Sequence, residues 1–141
     1  MIDSKKFAAA ALTSGALIAA IGLAAPAAQA DISGVDVAPG LSFGSSGSYG
    51  TGCSYKVTAS APPDDALIFV DETANDRTTQ TLNPHYLATD VDGKATVTWT
   101  PAVKGAHRIW VIENHPGATP VTASVTVGTG IQLGPACLVL P

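Results

Sequence analysis

Charge, sulfur and helical pattern are all in short supply in this chain of 141 residues. Asp, Glu, Lys and Arg make up 13% of it, eleven acids against seven bases. A surface so sparsely charged, and acidic on balance, excludes nucleic acid and anionic membranes as natural partners. Two cysteines, Cys53 and Cys137, stand far apart with no His at ligand spacing, which excludes a zinc site. No G-x-S-x-G elbow, P-loop, H-E-x-x-H or C-x-x-C occurs, so catalysis is not expected, nor a cofactor or metal. There is no N-x-S/T sequon, helical signals nearly vanish after residue 30, and no later apolar run reaches transmembrane length.

The first thirty residues are of another kind. Lys5-Lys6 precede an apolar run from Phe7 to Ala25, then Pro26 and Ala28-Gln29-Ala30. A charged start, an apolar middle and a small-x-small end are the parts of a helical secretory signal peptide, so residues 1–30 are expected to be removed on export. The product is then expected outside the cell or on its envelope, with no membrane insertion. Losing Asp3, Lys5 and Lys6 leaves ten acids and five bases, so the net charge moves from −4 to −5. In an oxidising compartment Cys53 and Cys137 are expected to pair.

From residue 31 onward, short alternating runs are separated by Gly, Pro, Asp and Asn. The clearest is Asp92–Ile112, DGKATVTWTPAVKGAHRIWVI. Ala95, Val97 and Trp99 share one parity and Lys94, Thr96, Thr98 and Thr100 the other, the mark of a strand with one wet face. Asp92-Gly93 supplies a turn and Pro101 a stop. The next run sets His107, Ile109 and Val111 on one face and Arg108, Trp110 and Ile112 on the other. Further strands are expected over 32–38, 53–60, 66–71 and 119–127, with one or two short ones in 77–89 broken at Asn83-Pro84. Gly40–Gly52 reads as a flexible or irregular connection, and the tail 128–141 as apolar enough to pack. Seven strands in about a hundred residues make an all-β, immunoglobulin-like antiparallel sandwich, one domain over 31–141.

The segment Gly93–Pro101, GKATVTWTP, running into Gly105-Ala106-His107-Arg108-Ile109, resembles bacterial Ig-like domains. That family often reads G-x-A-T-V-T-W-T-P and then A-G-T-H-T-I-T-A. The likeness spans roughly Ser33–Val127 and implies a spacer, adhesion or surface-binding module. A single copy without an attached enzyme argues against a spacer. In such a sandwich the start of the second strand and the end of the last lie at one pole, so a Cys53–Cys137 bond would pin the tail to the base.

Two surfaces are candidates for function. Arg108, Trp110 and Ile112 should point outward beside Ile68 and Val70, an aromatic-plus-Arg composition typical of binding hot spots. Alternatively the apolar tail folds over this face and hides it. At the pole opposite the disulfide, Asp64, Asp65, Asp90, Asp92 and Glu113 should gather, either as a cation-attracting patch or simply as turn residues bonding their own backbone. Trp99 is expected in the core and His107 as a hydrogen-bonding corner residue. The reading is a secreted, monomeric or weakly associating, non-catalytic module that binds a protein or an envelope or extracellular ligand. The alternatives are a hydrolase inhibitor presenting residues 114–117 or 44–52, or a small-molecule carrier with a cavity between sheet and loops.

Overall fold

The structure, a computed structural model, describes residues 31–44 and 47–141; the expected signal peptide lies outside them. In chain order the strands are β1 (Gly34–Ala38), β2 (Ser42–Gly44), β3 (Tyr49–Gly50), β4 (Tyr55–Ser60), β5 (Ala66–Glu72) and β6 (Arg77–Thr78). They continue with β7 (Leu82–Asn83), β8 (Tyr86–Ala88), β9 (Lys94–Trp99), β10 (Gly105–Glu113), β11 (Val121–Leu133) and β12 (Ala136–Leu140). One sheet has the order β1-β4-β9-β7; the other runs β2-β12-β11-β10-β5-β6, with β3 on β11 and β8 on β5. The order β1-β4-β9-β7 against β11-β10-β5 is the strand order of an immunoglobulin-like sandwich.

Alternation decides what each strand hides. Tyr55, Val57 and Ala59 on β4, Ala95, Val97 and Trp99 on β9, Leu67 and Phe69 on β5, and Ile109 and Val111 on β10 are all buried. A fully buried Leu, Ile or Phe side chain contributes about 1.5–3 kcal/mol, so these inner faces hold the sheets together. The few aromatics concentrate here: Tyr49, Tyr55, Trp99 and the His107 ring form one chain of contacts with centroids 5.1–5.9 Å apart.

Three sequence expectations need correction. Gly40–Gly52 contains two strands, β2 and β3, which pair in parallel with β12 and β11. Two of the glycines there, Gly44 and Gly50, serve close approach: a Cβ on Gly44 would strike the Val139 carbonyl, and one on Gly50 would come within 2.6 Å of Gly130 Cα, while one on Gly130 would meet the Thr51 carbonyl oxygen at 2.2 Å. Residues 77–89 hold three short strands, and the chain changes sheet at Asn83-Pro84, since β7 pairs with β9 and β8 with β5. The tail, lastly, is a continuation of the sheet. Val127 pairs with Gly105, the first residue of β10, so β11 overhangs β10 from Gly128 onward and folds back as β12.

The overhang also reverses parity. Val121, Ala123, Val125 and Val127 pack toward the core, whereas beyond the consecutively buried Val127-Gly128 it is Gly130 and Gln132 that pair with buried Val139 and Cys137. Cys137 bonds Cys53, with their Cα atoms 6.1 Å apart and 84 residues between them in sequence. Among the described residues no helix is long and apolar enough to cross a membrane.

Replacing both cysteines by serine is expected to cost about 4–5 kcal/mol, the chain-entropy value for a loop of this length. Gly50→Ala should cost about 1–3 kcal/mol by forcing β3 off β11. Urea unfolding measures both, and a Gly50→Ala protein as stable as the parent would refute the close approach.

Candidate functional site

The five residues expected on the outer face do come together there. Trp110 pairs with Val70 and Ile112 with Ile68 across β10 and β5, while Arg108 pairs with Glu72. Ile68 pairs on its other side with Tyr86 of β8, whose side chain is 49% exposed, so Ile112, Ile68 and Tyr86 form one row. Tyr86 was not legible as part of this face, because the Asn83-Pro84 break hides the strand that carries it. Its aromatic ring in a YLA run was the one available signal.

Polar groups frame the tryptophan. Its Nε1 donates to Glu72 Oε2 at 2.6 Å, and the Arg77 and Arg108 guanidinium carbons stand 4.7 and 6.0 Å from its ring centroid. Arg77 ion-pairs with Glu72, and Arg108 Nη1 lies 3.6 Å from Glu72 Oε2. The Arg77 hydrogen bond, then that of Trp110, hold the Glu72 carboxyl below its ordinary range. Guanidinium over indole is a cation–π contact. The tail leaves this face open: β12 and β2 lie beyond β11, at the far edge of the sheet from β5. A dish of about 570 Å³, lined by Glu72, Arg108, Ser124 and Thr126 among others, adjoins it.

At the acidic pole the turns that carry the five carboxylates adjoin, with the Asp64 N–H and the Asp65 carbonyl both bonded to Thr89 and the Asn114 N–H bonded to the Ala66 carbonyl, and the five side chains take different parts there. Asp90 Oδ1 accepts the N–H groups of Asp92 and Lys94, each at 2.9 Å, so it closes its own turn. Gly93 completes that turn at φ 72°, where a Cβ would strike the Ala61 carbonyl at 2.4 Å. Asp64 and Asp92 are exposed, and the backbone of Asp65 is tied to Thr89. Glu113 instead turns inward: it is 3% exposed, it accepts from His115 Nε2 at 2.8 Å, and its other oxygen has no partner. Burial, with the neighbouring Asp65 carboxyl, pushes the Glu113 pKa up. Among the described residues no group of three or more His, Cys, Asp or Glu is placed to hold a metal.

The functional group that sequence reasoning missed is Asp71, 1% exposed. It shares the inward parity of Leu67 and Phe69, and an Asp on that parity was the signal. Its Oδ1 meets His107 Nδ1 at 2.7 Å, while Oδ2 accepts from Trp99 Nε1 and Thr81 Oγ1, both at 2.9 Å. His107 Nε2 lies 2.9 Å from the Val103 carbonyl, the corner hydrogen bond expected of it. Both ring nitrogens face acceptors, so the ring is the doubly protonated cation against a carboxylate. Burial opposes the charge on each, but hydrogen bonds and mutual attraction win: the His107 pKa is raised and that of Asp71 lowered. With both nitrogens engaged, His107 has no free lone pair with which to act as a base. A cavity of about 320 Å³, lined by Thr73, Asp76, Thr78, Val103 and Lys104 among others, opens above the pair.

The signs define a pH window. Asp71 stabilises the fold above its ordinary value of 3.8, and that contribution is lost as pH falls through its lowered pKa. His107 stabilises below 6.5, and its contribution is lost as pH rises through its raised value. Melting temperature is therefore expected to be greatest between these limits and to decline toward alkaline pH. In His107→Gln that alkaline decline should be reduced, with a loss of about 3–5 kcal/mol at pH 5 for breaking a buried pair. Melting curves from pH 3 to 9 for both proteins check this, and an unchanged alkaline slope would sink it.

No family model matches the chain, and no curated protein matches it by sequence. Among solved structures it is similar to WR4, a C. elegans MSP family member, at 15% identity and a TM-score of 0.32. That likeness covers 76% of this chain and 97% of the other. The immunoglobulin-like assignment rests on strand order alone.

Proposed function

We propose that this chain is a secreted, non-catalytic binding module that engages a protein or an envelope or extracellular ligand through the outer face of β10, β5 and β8. The observation that carries the reading is the open Trp110 face. Trp110 is half-buried, held by Glu72 and flanked by two guanidinium groups, with Ile112, Ile68 and Tyr86 beside it. A rigid aromatic anchor with Arg at its rim favours a ligand that offers both apolar and anionic groups.

Export is supported by the composition of residues 1–30 and by the disulfide, which fits an oxidising compartment. The resemblance of Gly93–Ile109 to bacterial Ig-like domains supports surface binding as the role. Net acidity argues against nucleic acid.

A second reading, carriage of a small molecule, is favoured by the cavity over His107 and Asp71, whose 320 Å³ falls at the small end of ligand sites. The inhibitor reading is left chiefly with residues 114–117, since within 44–52 Tyr49-Gly50 is bound to β11 as β3.

Trp110→Ala tests the proposal. Pull-down of wild type and variant from culture medium and envelope should recover a partner with wild type only, with affinity falling about 30-fold or more, as for a hot-spot tryptophan. Melting should change little. Equal recovery by both proteins would exclude this face, and ligand loss on widening the Thr78 wall instead would favour the cavity.

A further inference from the structure

The chain carries no Asp, Glu, Lys or Arg between Asp36 and Lys56, nor after Glu113. Those two uncharged stretches supply β2, β12 and the overhanging end of β11, three neighbouring strands at one edge of the larger sheet. Cys137 and Val139 turn inward, so Ala136, Leu138 and Leu140 turn out. Leu138 pairs with Phe43 on one side and Ile131 on the other, and Ala136 pairs with Leu133. Leu41, whose carbonyl accepts from Cys137 N–H, precedes Phe43 on the same parity.

Five of the eight exposed large hydrophobic side chains among the described residues lie in this one place: Leu41 (67% exposed), Phe43 (51%), Leu133 (50%), Ile131 (42%) and Leu140 (37%). Together they present on the order of 500 Å² of apolar surface, near the upper limit for the largest patch on a monomer. The hairpin projects past the end of β10, so neither sheet shelters it.

We infer that this overhanging hairpin face is where a second copy of the same chain docks, forming a two-fold symmetric dimer. Area is the first argument. Two such faces bury on the order of 1,000 Å², about the least that a specific interface needs. Charge is the second. The strands of this face carry no ionisable side chain, and the charge next to it is Lys104 at the edge, whose Nζ lies 3.3 Å from the Pro141 carbonyl oxygen, so two copies meeting at the centre of the face bury no charge there. They also keep Asp64, Asp65, Asp90 and Asp92, which follow the far ends of β4 and β8, away from the contact. A face that mates with itself is satisfied by a single isologous contact, which closes and does not propagate. Of the two states expected from sequence, monomeric or weakly associating, this is the second, and it leaves the Trp110 face free, since the Thr122, Ser124 and Thr126 column of β11 lies between the two.

Sedimentation equilibrium of the disulfide-bonded protein, over about 1 to 100 µM, is the test, because an interface of this size sits in the micromolar range. The weight-average mass of wild type should climb from one protomer toward two. Ile131→Lys combined with Leu133→Lys, and separately Leu41→Glu on the other strand, should hold it at one protomer throughout with unchanged melting, a loss of about 100-fold or more in association. Trp110→Ala should dimerise like wild type. A wild type that stays at one protomer overturns the inference. So does a mass that climbs past two, or dimerisation unaffected by the charged variants. A one-protomer wild type that instead floats with phosphatidylcholine vesicles would assign the face to lipid.

Discussion

Asp71 is the buried charge through which the two sheets are joined by something more directional than apolar contact, at the end of the core away from the Tyr55–Gly50 hydrogen bond and the disulfide. It sits on β5 of the larger sheet and accepts from Trp99 on β9 of the smaller one, from Thr81 just before β7, and from His107 on β10. A carboxylate with almost no exposure stays charged when both its oxygens are well supplied with donors, and here an indole, a hydroxyl and an imidazolium supply them. The demand is mutual. Trp99 can be fully buried at the centre of the aromatic cluster because its N–H has this acceptor, and His107 can stay charged because the carboxylate faces it. Sheet spacing, the corner before β10 and the protonation of one histidine therefore depend on a single side chain.

The other organising feature is the overhang of β11. Once the strand outruns β10, its hydrogen-bonding edges must find new partners, and β12 and β3 provide them, β12 being joined in turn by β2. Close packing of these pieces explains the glycines at 50 and 130, where backbone meets backbone. The disulfide then ties the hairpin to the start of β4. The same arrangement turns one side of the hairpin inward and leaves the other uncovered, because a strand alternates whether or not there is a second layer to receive both faces.

The surface thus has two distinct apolar regions on one sheet. The Trp110 face is framed by an acid and two guanidinium groups, which gives direction and chemical preference. The hairpin face has no such frame. Ligand binding is proposed for the first and self-association for the second, and a dimer formed by the hairpin would display two Trp110 faces at once. The acidic turns contribute local geometry, with Asp90 closing its own turn and Glu113 withdrawn into the interior.

Alternation alone determined a good deal. The parity of Ala95, Val97 and Trp99, and of His107, Ile109 and Val111, gave the sandwich, the inward Trp99 and the outward Trp110. The cysteine pair followed from the strand order such a sandwich requires. These are short-range properties, carried by a period of two and by turn residues, so they can be read without coordinates. What the tertiary structure decided was long-range. Only pairing between separate segments of the chain shows that β2 joins β12, that Tyr86 completes the row begun by Ile112, and that the tail extends the sheet and leaves Trp110 uncovered. Asp71 belongs to the same class. Its parity is local, but its three donors come from separate parts of the chain, and no spacing along a sequence encodes which of them the fold will bring to one carboxylate.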